Sequence, residues 1–166
     1  MTQFKRLLAE QLGHSKKIVI LGVGSPLKSD DAAGILIAGK LKEQFPQEKY
    51  PMYRIYVGES APENYTGEIK NFLPEHLIVL DAADINEEPG SVGFIDVSVI
   101  KGISFCTHML PLNIMLDYIQ KETGCAMTII GIQPENLSYD GKVTLAVKET
   151  IEEITNAIGD ILTKIA

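Results

Sequence analysis

The sequence predicts a three-layer α/β fold: an open, mostly parallel and twisted sheet with helices on both faces. Predominantly apolar runs at residues 16–24, 77–80 and 127–132 are typical of strands buried on both sides. Amphipathic stretches with three- and four-residue spacing separate these runs and indicate helices. Strands that alternate with helices favour parallel strands joined by helical crossovers.

The first third of the chain predicts a helix, a strand and a second helix. Apolar residues at helical spacing up to Gly13 predict a short amphipathic helix over the first dozen residues. The run 16–24 predicts a central strand, and residues 25–29 predict a loop. Asp30 is expected to cap a helix that ends at Pro46. The apolar stripe of that helix is Ala33, Ile37, Leu41 and Phe45.

The remaining elements follow in the same alternation. Strands are predicted at residues 52–57, 77–80 and 127–132, with an edge strand or hairpin arm at 92–97. A loop after Pro62 leads to a short helix near 67–72. Pro111 suits the first position of a helix that stops at Gly124. Isoleucines from 151 to 165 predict a long amphipathic closing helix.

Length and composition indicate one domain, residues 1–166, with residues 1–15 as a helical extension. The 15 Lys and Arg against 22 Asp and Glu give a net charge of −7, which argues against nucleic-acid and anionic-membrane partners. The longest apolar stretch, 18–24, is too short to span a bilayer. The two cysteines lack C-x-x-C spacing and no secretory leader is evident, so we expect a cytoplasmic protein.

Ligands of such sheets bind beyond the carboxyl ends of the strands, so candidate residues are sought there. The loop 22–29 partly fits a dinucleotide or phosphate loop, but Leu27 stands where glycine is needed. Asp30 and Asp31 would oppose an anion at the helix start. The adjacent carboxylates of Asp30 and Asp31 therefore favour binding of a cation at this loop.

Two hypotheses of a catalytic nucleophile have less support than a cation site. Residues 58–62 (GESAP) resemble a G-x-S-x-G elbow around Ser60, but Pro62 replaces the second glycine. Cys106 lies two residues from His108 and could form a thiolate pair, although its apolar neighbours favour a core position. Cys125 precedes a buried strand and is expected in the core.

The strongest candidate site combines Asp31, Asp81 and His108. Asp31 lies at the helix start after the first strand, Asp81 at the end of the third strand, and His108 just before the Pro111 helix. Two carboxylates and one imidazole suit a borderline divalent ion such as nickel or zinc, with coordination positions left open.

Five blocks in order, from about residue 17 to the end, resemble the hydrogenase maturation proteases. These endopeptidases remove a carboxyl-terminal extension from the large subunit of [NiFe] hydrogenases. The blocks are residues 22–25 (GVGS) with 30–34, Gly58 with 60–64 (SAPEN), 79–82 (VLDA), 107–108 with 111–112, and 131–134 (GIQP). The second and fifth blocks resemble the branch that serves formate-linked or energy-converting hydrogenases.

The resemblance implies that Asp31, Asp81 and His108 contact nickel already held in the large-subunit precursor. No permanent cofactor is expected, because the substrate supplies the metal. Two other functions stay open at this stage: a nickel-checking chaperone that does not cut, and a serine esterase that uses Ser60. The sequence departs from the family pattern at Ser25, Ser29 and Ala32. Ser29 and Ala32 replace glycines of that pattern, so we expect them to strain or shift the first loop.

Overall fold

A computed structural model describes residues 1–96 and 109–166. In these two ranges the chain forms five α-helices and five strands. The helices are α1 (Thr2–Leu12), α2 (Ala33–Gln44), α3 (Thr66–Phe72), α4 (Met109–Thr123) and α5 (Leu145–Ile165). The strands are β1 (Ile18–Val23), β2 (Tyr53–Glu59), β3 (His76–Ala82), β4 (Val92–Ile95) and β5 (Ala126–Ile132). Short 3-10 helices precede α2 (Ser29–Ala32) and α3 (Pro62–Tyr65).

The strands form one sheet in the order β2-β1-β3-β5-β4. Strands β2, β1, β3 and β5 are parallel, and only the short edge strand β4 runs antiparallel, against β5. All residues of β1 and β3 are buried, as expected for central parallel strands covered on both sides. The predicted mostly parallel sheet is confirmed.

Two hydrophobic cores lie on opposite faces of the sheet. One core contains side chains of α1, α2 and α5, packed on alternate strand residues such as Ile20, Ile78 and Ile130. The other contains α3 and α4 side chains, packed on residues such as Val19 and Val79. Helices therefore cover both faces, which confirms the three predicted layers.

The structure places several element ends differently from the sequence prediction. Helix α4 begins at Met109, two residues before Pro111. Proline is tolerated there because the first N–H groups of a helix have no intrahelical acceptor. Strand β2 extends to Glu59 through an irregularity opposite Val23, whereas its pattern ended at residue 57. The predicted arm 92–97 ends at Ile95, and residue 97 lies outside the described ranges.

Hydrogen bonds among three polar side chains join α1 to the amino-terminal edge of the sheet. The Thr128 hydroxyl donates to Gln11 Oε1 (2.6 Å), so it accepts a hydrogen bond from His76 Nε2–H (2.8 Å). His76 is buried, and its Nδ1 has no hydrogen-bond partner among the described residues. Burial lowers the pKa of His76, because the charged imidazolium is poorly solvated there.

In the ranges that the structure describes, no helix is both long and apolar enough to cross a membrane.

Candidate active site

The carboxyl ends of β1 and β3 form the point where the chain changes direction across the sheet. After β1 the chain passes through α2, in the first core, to β2 on one side. After β3 it continues to β4 and β5 on the other side, with α4 on the opposite face. Such a change of direction opens a crevice beyond the strand ends, where ligands of parallel sheets bind.

Asp31 lies in the loop that follows β1, beyond the carboxyl end of that strand. Its Oδ2 accepts a hydrogen bond from the Ser25 backbone N–H (2.9 Å), and its own N–H donates to the Lys28 carbonyl (2.8 Å). The residue is only 4% exposed. Gly24, at φ 137°, brings the loop so close that an added Cβ would lie 1.8 Å from the Asp31 carbonyl oxygen. The loop thus holds the Asp31 carboxylate in a defined position.

Asp30 does not cap α2 as the sequence predicted. It is 0% exposed, and its carboxylate faces the segment between β5 and α5. Oδ2 accepts hydrogen bonds from Glu135 N–H, Asn136 N–H and the Thr144 hydroxyl, and Oδ1 accepts one from Thr144 N–H (2.7–3.0 Å). Asp30 therefore ties the 135–144 segment to the first loop, which is a structural task.

Asp81 lies within β3 rather than on a loop, and it is 1% exposed. It pairs with Gly131 of β5, one residue past the last pair between β1 and β3. Because strand side chains alternate, Asp81 shares a face with Leu77 and Val79, the face covered by α3 and α4.

Gly34 allows the start of α2 to approach the ends of both central strands. An added Cβ would lie 2.2 Å from the Leu80 carbonyl oxygen and 2.5 Å from the Val23 carbonyl oxygen. The 3-10 helix that carries Asp31 accordingly packs against β3, the strand of Asp81. The structure thus brings Asp31 and Asp81 to the same edge of the sheet.

His108, the third predicted ligand, and Cys106 lie outside the described residues. Met109, the next residue along the chain, begins α4, whose other end leads through Gly124 into the amino end of β5. The start of α4 is therefore at the carboxyl edge of the sheet, where α4 packs on the 3-10 helix that follows β2. In residues 1–96 and 109–166, no three His, Cys, Asp or Glu side chains form a cluster suited to a metal ion.

The geometry around Ser60 differs from a nucleophile elbow. The left-handed residue of the turn is Glu59 (φ 49°), and Pro62 begins a 3-10 helix. Within the described ranges the exposed Ser60 hydroxyl has no hydrogen bond to a histidine or a carboxylate. A pocket of about 310 Å³ lies at this end of β2, lined by Val57, Gly58, Glu59, Ser60, Ala61, Asn64 and Tyr65.

The glycines of the first loop have a packing role. An added Cβ on Gly22 would lie 2.4 Å from the Gly34 carbonyl oxygen, so Gly22 permits close contact between β1 and α2. Ser29 adopts φ 23°, as expected from its replacement of glycine, and its hydroxyl donates to the Lys142 carbonyl (2.8 Å). Ala32 is unstrained (φ −73°), so the strain expected there is absent.

Two further observations concern residues around the site. Cys125 is buried in the core below α4, as predicted, and burial raises the pKa of its thiol. Gln133, which sequence reasoning did not single out by itself, accepts hydrogen bonds at Oε1 from Ile85 N–H (2.8 Å) and Glu87 N–H (3.3 Å). It orders the segment that leaves β3 after Asp81. The sequence signal that could have identified Gln133 is its place in residues 131–134 (GIQP), one of the blocks that carry the family resemblance.

Comparisons with known proteins agree with this architecture. The family model for HycI, the hydrogenase maturation proteases, matches residues 35–161. The hydrogenase 3 maturation protease of Escherichia coli K12 is 31% identical over 82% of this chain and 85% of its own length. The crystal structure of a [NiFe] hydrogenase maturation protease HycI from Thermococcus kodakarensis superposes with a TM-score of 0.86. That protein is 32% identical, over 95% of this chain and 99% of the other. The E. coli hydrogenase maturating endopeptidase HybD gives a TM-score of 0.72 at 28% identity, over 89% and 93% of the two chains.

Proposed function

Since this chain belongs to the hydrogenase maturation protease family and is a peptidase, we propose that it removes the carboxyl-terminal extension of a nickel-loaded [NiFe] hydrogenase large-subunit precursor. The nickel belongs to the substrate. Asp31, Asp81 and His108 contact it and so place the scissile peptide. We further propose that the reaction takes place in the cytoplasm.

The observation that carries this proposal is the pair of buried carboxylates at the β1–β3 crevice. Asp31, in the 3-10 helix after β1, and Asp81, in β3, lie at the same edge of the sheet, and each is at least 96% buried. Carboxylate oxygens are ligands of divalent metal ions, so two carboxylates at one edge of the sheet can bind a divalent cation there. Oxygen ligands with one imidazole also suit nickel that already has sulfur ligands from the substrate.

The residues of this chain supply orientation and proton transfer. The Ser25 N–H fixes one oxygen of Asp31, so the carboxylate is oriented before the substrate arrives. The substrate nickel supplies Lewis acidity toward the peptide carbonyl or a water molecule. A carboxylate of the pair acts as general base toward the attacking water. The pocket at the end of β2 adjoins this loop, because Gly24 N–H donates to the Glu59 carbonyl (3.0 Å), and it receives peptide next to the cleaved bond.

The two rival functions lose support. A chaperone that never cuts does not fit membership in a family of peptidases. A serine esterase would need the Ser60 hydroxyl hydrogen-bonded to a base, and no such bond occurs in residues 1–96 and 109–166. A fluorophosphonate probe should therefore leave the protein unlabelled.

The proposal is tested by incubating the protein with nickel-loaded precursor and measuring the large-subunit mass. We expect Asp31→Asn, Asp81→Asn and His108→Ala each to lower the processing rate by about 100-fold or more, because each removes a group that places the reacting atoms. Asp160→Asn is the control, since it removes an exposed carboxylate in the second half of α5, beside Lys5 of α1. Wild-type rates for Asp81→Asn or His108→Ala would refute the three-residue site, provided that melting curves show folded variants.

A further inference from the structure

An exposed apolar surface lies beside the candidate site. Four of the nine large apolar side chains that are exposed in the described residues lie on the first loop, on the segment tied to it and at the start of α5. Leu27 is 63% exposed and Tyr139 is 68% exposed, and neither fills the core. We call the four together the rim patch: Leu27, Leu137, Tyr139 and Leu145. Clustered exposed apolar side chains of this size usually mark an interaction site.

Backbone contacts bring the first loop and the 135–144 segment side by side. Lys28 and Tyr139 form an antiparallel bridge, and Asp140 N–H donates to the Leu27 carbonyl (3.0 Å). Leu137 lies two residues before Tyr139 on the same segment and is also exposed (49%). The Lys28 ammonium lies 4.9 Å from the Tyr139 ring centre and gives the patch a positively charged border.

The support beneath the rim patch is rigid. Asp30 binds Glu135, Asn136 and Thr144, the residues that flank the segment of Leu137 and Tyr139. Ser29 adds a hydrogen bond to the Lys142 carbonyl (2.8 Å). A backbone held this way is already ordered before a partner binds, so less conformational freedom is lost on binding.

The rim patch includes part of the first loop, which leads to Asp31. Leu27 and Lys28 lie between Ser25 and Asp31, which are joined by the hydrogen bond to the Asp31 carboxylate. Asp31 N–H also donates to the Lys28 carbonyl. A protein whose peptide occupies the crevice therefore covers this loop as well.

We infer that the rim patch is the docking surface for the folded body of the hydrogenase large-subunit precursor, through an apolar part of its surface next to the crevice. The inference rests on the proposed function and names how that substrate is held. A second copy of this chain is a poorer occupant, because two molecules of net charge −7 repel each other. A folded precursor fits, because it presents its peptide to the crevice and its surface to the loop at the same time.

The test compares wild type with the double variant Leu27→Ser/Tyr139→Ser. We expect KM for nickel-loaded precursor and the Kd for precursor binding each to rise at least tenfold, with kcat changed less than threefold. The matched control is Leu73→Ser, because Leu73 is 58% exposed but lies at the end of α3, near the amino-terminal edge of the sheet. Unchanged melting curves confirm that the variants fold.

The outcomes separate this inference from the proposed function. If wild type cuts the precursor and the double variant shows the same KM and Kd, the docking inference is wrong and the proposed function stands. If wild type does not cut nickel-loaded precursor, the proposed function itself fails. Sedimentation of wild type as a dimer, with the double variant monomeric and equally active, would assign the rim patch to self-association and overturn the inference.

Discussion

Asp30→Asn is the substitution whose effect on stability follows most directly from the structure. The carboxylate is fully buried and accepts four hydrogen bonds from the 135–144 segment. An asparagine oxygen at the Oδ2 position keeps three donors satisfied. Its NH₂ group then faces the Thr144 N–H, so two donors oppose each other. A buried donor without an acceptor costs about 1–3 kcal/mol, and loss of charge from the other three bonds adds roughly 1 kcal/mol.

We therefore expect Asp30→Asn to lower the free energy of unfolding by about 2–4 kcal/mol, which corresponds to a fall in Tm of roughly 5–15 °C for a domain of this size. Urea unfolding and calorimetry measure both quantities. Asp140→Asn makes the same chemical change at an exposed position of the same segment, so its effect should stay within about 0.5 kcal/mol. A Tm for Asp30→Asn within about 1 °C of wild type would refute the reasoning.

Two further predictions concern stability. Gly34→Ala should destabilise the protein by about 2 kcal/mol or more, because its Cβ would lie 2.2 Å from the Leu80 carbonyl oxygen; a wild-type urea midpoint would contradict the close packing. Stability should also fall as the pH drops below about 6.5, by up to about 1.4 kcal/mol per pH unit, because unfolded chains take up a proton that buried His76 resists. His76→Gln should flatten this part of the pH profile of the urea midpoint, and an unchanged slope would show that other groups cause it.

The fold could be read from the sequence because its main signals are local. Continuous apolar runs marked β1, β3 and β5, and the isoleucine spacing marked α5, since burial on both faces or on one helical stripe determines residue type directly. The predicted start of the helix at Pro111 and the predicted end of β2 were wrong. The ends of helices and strands depend on tertiary contacts that outweigh local preference.

In the candidate site, too, features set by local sequence could be predicted and features set by tertiary contacts could not. Asp31 and Asp81 were assigned from their positions after strands, and parallel strands bring such positions to one edge. The task of Asp30 could not be read from the sequence, because its partners are more than 100 residues away and a helix cap explains an aspartate there equally well. The packing reason for Gly34 likewise appears only when α2 lies against Leu80 and Val23.

The central claim is that substrate nickel is what Asp31, Asp81 and His108 recognise. The most direct measurement is mass spectrometry of the large-subunit precursor, prepared with and without nickel and incubated with this protein. We expect the nickel-loaded precursor to be shortened and the metal-free precursor to stay intact, because loss of the docking point removes the orientation on which the rate depends. Free nickel added to the protease alone should not restore cleavage. Efficient shortening of the metal-free precursor would contradict the account.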